Sequence, residues 1–126
     1  MSVSVRRAAH EDAAAIAPLV TQLGYPSAAA EVEARLARLK DHPDIRAYVA
    51  ESEGRLVGII GLMVFPAFHR DGLHGYVTAL VVDEGVRGSG VGGALLETAE
   101  AWFQERGVKR VSLTTALHRE DAHVFY

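Results

Sequence analysis

The sequence predicts an α/β fold in which a central mixed, mostly antiparallel, twisted sheet is flanked by helices. Three observations predict it: segments that alternate at the strand period, apolar residues at helical spacing in several places, and a strand that passes through a glycine-rich turn directly into a helix. A chain of 126 residues, 49% of them hydrophobic, fits one compact domain. We therefore assign residues 1–126 to a single domain.

The N-terminal third predicts one strand and two helices. Residues 2–6 alternate polar and apolar side chains around two valines, as in a strand with one buried face. Apolar residues then recur at helical spacing over residues 11–23, with a glycine next as a stop signal. Ser27 is positioned to cap a second helix that extends to about Lys40.

The middle of the chain predicts a hairpin, a loop and a central strand. Residues 46–51 and 55–65 have the strand period on either side of a turn. Residues 66–75 carry Pro, Asp, Gly and two histidines without periodicity, which indicates a loop. Residues 75–82 form a nearly continuous apolar run, which is typical of a buried central strand.

The last third predicts a helix, a strand and the beginning of another helix. Apolar residues at helical spacing run through 91–106, and Gly107 closes that helix. Residues 109–115 read as a strand, parallel to 75–82 because a helix crosses over between them. A further helix is expected to begin at Arg119.

Composition excludes several classes of function. The formal net charge of -3 gives no global positive field to hold nucleic acid or an anionic membrane, so we expect neither as a partner. The absence of cysteine excludes disulfides, a thiol nucleophile and thiolate metal ligands. Since no segment approaches the roughly 20 apolar residues of a membrane span, we predict a cytoplasmic protein.

The segment from Arg87 to Gly93 has the chemistry of an anion site. Main-chain N–H groups at the start of a helix have no helical partner, and the positive end of the helix dipole adds to their attraction for anions. Glycines let a phosphate come close, and the Arg87 guanidinium can chelate phosphate oxygens. A pyrophosphate would fit, although an isolated glycine cluster can also be only a tight turn.

Two other phosphate-binding motifs fit less well. Gly88, Gly90 and Gly93 match the dinucleotide pattern G-x-G-x-x-G, but they follow an antiparallel hairpin and no acidic residue ends the next strand. A nucleoside triphosphate loop needs Gly-Lys-Ser/Thr, where this chain has Gly92-Gly93-Ala94. Both dinucleotide binding and triphosphate hydrolysis are therefore disfavoured.

The remaining pattern, Arg-x-x-Gly-x-Gly at 87–92 after a Leu-Val-Val strand end, resembles the pyrophosphate-binding motif of GNAT acetyltransferases, which bind coenzyme A there. Residues 3–12 resemble the first strand and helix of that family, 56–62 its third strand, and 121–126 its fourth helix. The resemblance covers essentially the whole chain in the expected order. Within the superfamily, the chain most resembles the aminoalkylphosphonate N-acetyltransferase-like members, through Ile60-Gly-Leu62, the histidine-bearing loop, Leu80-Val-Val82 and Asp-Ala-His-x-Phe-Tyr at 121–126.

This resemblance implies the GNAT fold and acetyl transfer from acetyl-CoA to the primary amine of a small molecule, such as an amino-acid-like phosphonate or a related anionic amine. It implies main-chain contacts with the pantetheine arm and thioester at the end of the central strand, and a pyrophosphate in the glycine turn. The implied cofactor-binding residues are Leu80, Val81, Val82, Arg87, Gly88, Ser89, Gly90, Val91, Gly92, Gly93 and His118.

Two residues are assigned catalytic roles. Tyr126 matches the tyrosine with which the family protonates the leaving thiolate, although a tyrosine there can also be a packed helix aromatic. Many relatives have a glutamate base on the strand before the glycine turn, and this strand has none. Glu84, near the strand end, could act as base through a water molecule; His69 and His74 are alternatives with suitable pKa values.

An anionic acceptor would need cationic side chains. His69, His74 and Arg119 are the substrate-binding candidates, together with Arg70, although each can equally be a solvated surface residue. The histidines lie near Asp71, but without further ligands in view we expect no metal site.

Three expectations concern the whole protein. Family members continue through a Gly-Phe or Gly-Tyr turn into two more strands, so we expect a domain truncated at its C-terminal end, without those strands. An exposed sheet edge would allow a homodimer. Two other functions stay open: a non-catalytic coenzyme A-binding sensor or interaction module, and an acetyltransferase of protein N-termini or lysines.

Overall fold

A computed structural model describes residues 2–113, which contain five strands and three α-helices. These are β1 (Ser4–Arg7), α1 (Ala13–Leu23), α2 (Ala29–Leu39), β2 (Ile45–Ser52), β3 (Arg55–Pro66), β4 (Leu73–Val82), α3 (Val91–Glu105) and β5 (Val108–Leu113). Short 3-10 turns lie at His10–Asp12 and Glu84–Val86. None of the helices within residues 2–113 is long and apolar enough to cross a membrane.

The five strands form one mixed sheet in the order β1-β2-β3-β4-β5. The first four strands pair antiparallel with their neighbours, and β4 pairs parallel with β5 after the crossover through α3. The sequence prediction of a mixed, mostly antiparallel sheet is therefore confirmed.

Helices cover both faces of this sheet. On one face α3 packs Val91, Leu95 and Trp102 against side chains of β2, β3 and β4. On the other face α1 and α2 bury Ile16 and Val32 against the sheet. Each helix presents one apolar stripe to the sheet, which is the pattern that its sequence periodicity predicted.

A carboxylate holds the start of α1 beside β1. Asp12 accepts two hydrogen bonds from the Arg6 guanidinium at 2.8 Å each and one from the N–H of Ala9 at 2.7 Å. The Arg6 guanidinium lowers the pKa of Asp12 below its usual range and outweighs burial, which acts in the opposite direction. The far end of α1 contacts the turn that follows β4.

Two local predictions were wrong. The loop predicted for residues 66–75 is shorter, because β3 continues to Pro66 and β4 begins at Leu73, and His74 pairs with Phe65 within the sheet. Ser27 does not cap α2: the helix begins after Ala28, while the Ser27 hydroxyl accepts a hydrogen bond from Arg35 and donates one to a turn carbonyl.

A β-bulge interrupts β4 in the middle of the sheet. Gly61 of β3 pairs with Ala79 and the next residue, Leu62, pairs with Val77, so Thr78 is the extra residue. Within residues 2–113, β5 pairs with β4 only from Leu73 to Val77. The part of β4 beyond the bulge therefore has an outer edge that no described strand covers.

Gly58 allows α3 to approach β3, and we predict that Gly58→Ala destabilises the fold by about 1–3 kcal/mol through overpacking. A Cβ at this position would lie 2.9 Å from Leu95 Cδ1, 2.9 Å from Val91 Cγ1 and 3.1 Å from the Val81 carbonyl oxygen. The measurement is the free energy of unfolding from urea denaturation.

Gly85→Ala is the matched control, because a Cβ there would have no neighbour within 4 Å, and its change should stay within about 0.5 kcal/mol. Equal stabilities for the two variants would show that the packing of α3 against β3 does not depend on Gly58.

Candidate functional site

The last residues of β4 direct main-chain groups toward the uncovered edge. The N–H of Asp83 donates to the Val57 carbonyl of β3 at 2.8 Å, and residues of an antiparallel strand alternate between its two edges. Leu80 and Val82 therefore point their N–H and C=O groups away from β3. Val81 points its N–H and C=O groups toward β3, and its side chain is buried in the core. The alternation therefore fits main-chain contacts with a pantetheine arm at Leu80 and Val82 but not at Val81.

Asp83 fixes the turn that follows β4. Its carboxylate accepts hydrogen bonds from Arg55 at 2.8 Å and from the Gln22 side-chain amide at 3.2 Å. The side-chain carbonyl oxygen of Gln22 in turn accepts a hydrogen bond from the N–H of Glu84 at 3.3 Å. The turn is thus tied both to the β2–β3 hairpin and to the end of α1. Local sequence patterns do not predict this role of Asp83, because its partners are distant in the chain.

The glycine segment forms a turn that leads directly into α3. Gly88 and Gly90 have φ values of 85° and 91°, a conformation that favours glycine. The N–H of Ala94 donates to the Gly90 carbonyl at 3.1 Å, so it is the first N–H of α3 with a helical partner. Between Gly88 and Gly93, five N–H groups have no acceptor among the described residues. They belong to Gly88, Gly90, Val91, Gly92 and Gly93.

The space around the glycines of this segment is open. A Cβ on Gly88, Gly90 or Gly93 would meet no atom within 4 Å, and one on Gly92 would meet only Val82 Cγ2, at 3.6 Å. Glycine inside a helix costs up to about 1 kcal/mol relative to alanine, and protein packing does not require it at 92 or 93. The segment therefore fits a pyrophosphate, since its backbone can contact oxygens that side chains would hold away.

Arg87 and Ser89 have different positions in this turn. Arg87 is exposed and its Nε donates to the Val82 carbonyl at 3.2 Å, while its terminal nitrogens have no partner among the described residues. Ser89 directs both its N–H and its hydroxyl to the Val86 carbonyl. Arg87 can therefore extend two donors to a ligand, whereas the Ser89 hydroxyl stabilises the turn itself.

Two arginines and two histidines line a second concave site, at the other end of β4. The cavity measures about 450 Å³ and lies between the β3–β4 loop and β5. Its described lining residues are Phe65, Ala67, His69, Arg70, His74, Arg110, Val111 and Ser112. We call it the cationic pocket. The sequence predicted His69, Arg70 and His74 as contacts with an anionic acceptor but did not identify Arg110 and Ser112. The available signal was their two-residue spacing, which places both side chains on one face of a strand.

The structure places the candidate base Glu84 far from the candidate substrate contact His74. Glu84 is exposed and lies just after the end of β4, whereas His74 is at its beginning. The eight residue-to-residue steps from His74 to Val82 span about 26 Å, so Glu84 and His74 cannot contact the same small amine.

Three predicted site residues, His118, Arg119 and Tyr126, lie outside the described residues. Within residues 2–113, no three His, Asp or Glu side chains are grouped closely enough to hold a metal ion.

The chain matches known proteins over most of its length. The model of the Acetyltransferase (GNAT) family matches residues 10–126. The chain is 33% identical over 84 residues to the aminoalkylphosphonate N-acetyltransferase of Salmonella typhimurium, covering 67% of this chain and 54% of that protein. It therefore spans about half the length of that relative. It is also 33% identical to the uncharacterised N-acetyltransferase YhfO of Bacillus subtilis, over 98% of this chain and 86% of that protein.

Solved structures share the fold. The glucosamine-6-phosphate N-acetyltransferase of Arabidopsis thaliana superimposes with a TM-score of 0.83 at 22% identity, covering 99% of this chain and 88% of that one. An acetyltransferase of Trypanosoma brucei gives a TM-score of 0.79 at 26% identity, covering 98% and 89%. The fold predicted from the glycine motif and its neighbouring segments is confirmed.

Gly92→Leu tests the glycine segment as an anion cradle. The open space at Gly92 predicts a folded variant whose side chain obstructs the N–H groups, so its affinity for coenzyme A should fall at least about tenfold. The measurement is the dissociation constant by titration calorimetry, with the melting temperature as a check on folding. Gly92 is preferable to Gly90, where φ of 91° would add backbone strain to any substitution.

Ala101→Leu adds comparable bulk to an exposed position near the far end of the same helix and should leave the affinity unchanged. Unaltered binding by Gly92→Leu would contradict the cradle.

Proposed function

The chain belongs to the Acetyltransferase (GNAT) family, and we propose that it transfers the acetyl group of acetyl-CoA to the primary amine of a small molecule. The observation that carries the proposal is the set of N–H groups at Gly88, Gly90, Val91, Gly92 and Gly93 that have no acceptor within residues 2–113, at the start of α3 and directly after Arg87 in the chain. This is the donor arrangement that the pyrophosphate of coenzyme A requires.

The pantetheine arm would lie along the outer edge of β4. Leu80 directs its N–H and C=O groups to that edge and Val82 directs its N–H there, while the Val82 carbonyl accepts a hydrogen bond from Arg87. An amide-containing arm can bind these main-chain groups as an added strand would. With the pyrophosphate at the glycine segment, the thioester would lie toward the bulge at Thr78. Main-chain N–H groups there are suited to stabilise the oxyanion that develops on the acetyl carbonyl.

Two proton transfers complete the proposed reaction. The attacking amine must be neutral, and the departing thiolate must receive a proton. We assign the second role to Tyr126, since the pKa of a phenol, about 10, exceeds that of a thiol, about 8.5, by so little that modest tuning lets it protonate the thiolate. The assignment of Glu84 as a base that acts through a water molecule stays a prediction. A contact between His118 and coenzyme A also stays a prediction.

We propose that the acceptor carries an anionic group, as in an amino-acid-like phosphonate or a related anionic amine. The placement of His69 and His74 in one cationic pocket supports this class of acceptor, as does the name of the Salmonella relative. Arg119 is a further candidate contact. A homodimer and a cytoplasmic location stay predictions.

A coenzyme A-binding sensor is the second candidate function. It is favoured by one observation: β4, from Leu73 to Val82, carries no carboxylate that could deprotonate an amine. Such a protein would bind coenzyme A through the same glycine segment without releasing free thiol.

Thiol release from acetyl-CoA distinguishes the two functions. We expect turnover with at least one small primary amine in a panel of aminoalkylphosphonates, amino acids, polyamines and aminoglycosides. Tyr126→Phe should lower kcat by about 10²-fold or more, because general acid catalysis is lost, and should leave the affinity for coenzyme A unchanged.

Tyr25→Phe is the control, since Tyr25 is 60% exposed and lies in the turn between α1 and α2. Tight coenzyme A binding without thiol release from any amine would support the sensor instead. Release at the normal rate by Tyr126→Phe would exclude Tyr126 as the acid.

A further inference from the structure

The cationic pocket differs from the rest of the protein surface in its charge. The chain as a whole carries 16 acidic and 13 basic residues. None of the described residues that line the pocket is acidic, while four of them, His69, Arg70, His74 and Arg110, are or can become cationic. The nearest acidic residue in sequence, Asp71, lies in the same loop but does not line the cavity. Positive charge is thus concentrated in one concave site on a protein of net negative charge.

The two arginines of the pocket lack the carboxylate partners that three other arginines have. Arg6, Arg55 and Arg106 each pair with an aspartate at 2.7–2.8 Å. Arg70 and Arg110 are exposed and form no ion pair or hydrogen bond with side chains of residues 2–113. Each guanidinium can therefore offer its donor fork to an oxyanion, the group that it binds with two parallel hydrogen bonds.

The floor of the pocket is fixed by the sheet. Parallel pairing of β4 with β5 sets His74 against Arg110, and Ser112 lies one strand period further on the same face. The His74 ring stacks on Phe65 at 5.2 Å, and its Nε2 lies 2.7 Å from the Ser112 hydroxyl. Three strands thus hold the ring and the hydroxyl in place, which lowers the entropic cost of ordering them around a ligand.

We infer that the cationic pocket binds an oxyanion of the acceptor, a phosphonate, phosphate or carboxylate, and that Arg110 is its main specificity-determining residue. This inference rests on the proposed function for the identity of the ligand as an acetyl acceptor. Arg110 has the leading role because it extends from β5, whereas Arg70 extends from the loop. Four residues of strand, about 13 Å, separate His74 from the bulge at Thr78. The acceptor would lie along that span, with its amine toward the bulge.

The test compares two amines that differ in charge, 3-aminopropylphosphonate and butylamine. Arg110→Gln should lower kcat/KM for the phosphonate by about 10–100-fold, because charge-assisted hydrogen bonds are lost, and leave kcat/KM for butylamine unchanged. Arg38→Gln removes the same charge from an exposed position on α2 outside the pocket and should change neither. The melting temperatures of both variants should match that of the unaltered protein.

An unchanged preference for the phosphonate in Arg110→Gln would overturn the inference. So would an equal loss in Arg38→Gln, which would indicate a general effect of net charge.

A second readout separates this inference from the proposed function. Propylphosphonate has no amine, so its binding by calorimetry does not depend on acetyl transfer. If the unaltered protein releases no thiol with any amine, the proposed function fails. The oxyanion site still stands if Arg110→Gln weakens propylphosphonate binding at least tenfold while Arg38→Gln and Arg87→Gln do not. Absence of propylphosphonate binding would overturn the inference. So would weaker propylphosphonate binding in Arg87→Gln alone, because the anion would then occupy the glycine segment and not the cationic pocket.

Discussion

The N–H groups at the start of α3 are the feature on which the rest of the site depends. A helix cannot satisfy its own first donors, and here no other described residue satisfies them either. Their position is set by burial elsewhere, because Val91 and Leu95 anchor α3 against β3 at Gly58. The binding energy that the segment offers an anion is therefore linked to the packing of the core, and a change in that packing would move the donors.

The strand β4 connects the two ends of the site. Its last residues lead into the glycine segment through Asp83, and its first residues form one wall of the cationic pocket. Between them, the bulge at Thr78 ends the part of β4 that pairs with β5 in the described chain. In the proposed reaction, one continuous element would set the distance between a donor anchored by its pyrophosphate and an acceptor anchored by its oxyanion. Catalysis by proximity depends on such fixed spacing.

Sequence patterns predicted the elements whose conformation depends on residues that are close together in the chain. The helix over residues 91–106 and the glycine turn before it follow from apolar spacing and from the preference of glycine for positive φ. The register of β4 against β5, which brings Arg110 and Ser112 to His74, depends on pairing between distant segments. The ties of Asp83 to Arg55 and Gln22 are likewise long-range. The glycine segment could therefore be predicted from the sequence. Only part of the cationic pocket, His69, Arg70 and His74, could be.

The most direct test of the central claim is a titration followed by the backbone amide signals of the protein in ¹H–¹⁵N NMR spectra, with coenzyme A and with pantetheine, which lacks the pyrophosphate. Coenzyme A should shift the amide signals of Gly88, Gly90 and Val91 to Gly93 downfield, as expected for N–H groups that begin to donate to phosphate oxygens. Pantetheine should leave those signals in place. Binding of coenzyme A without a change in these signals would contradict the account.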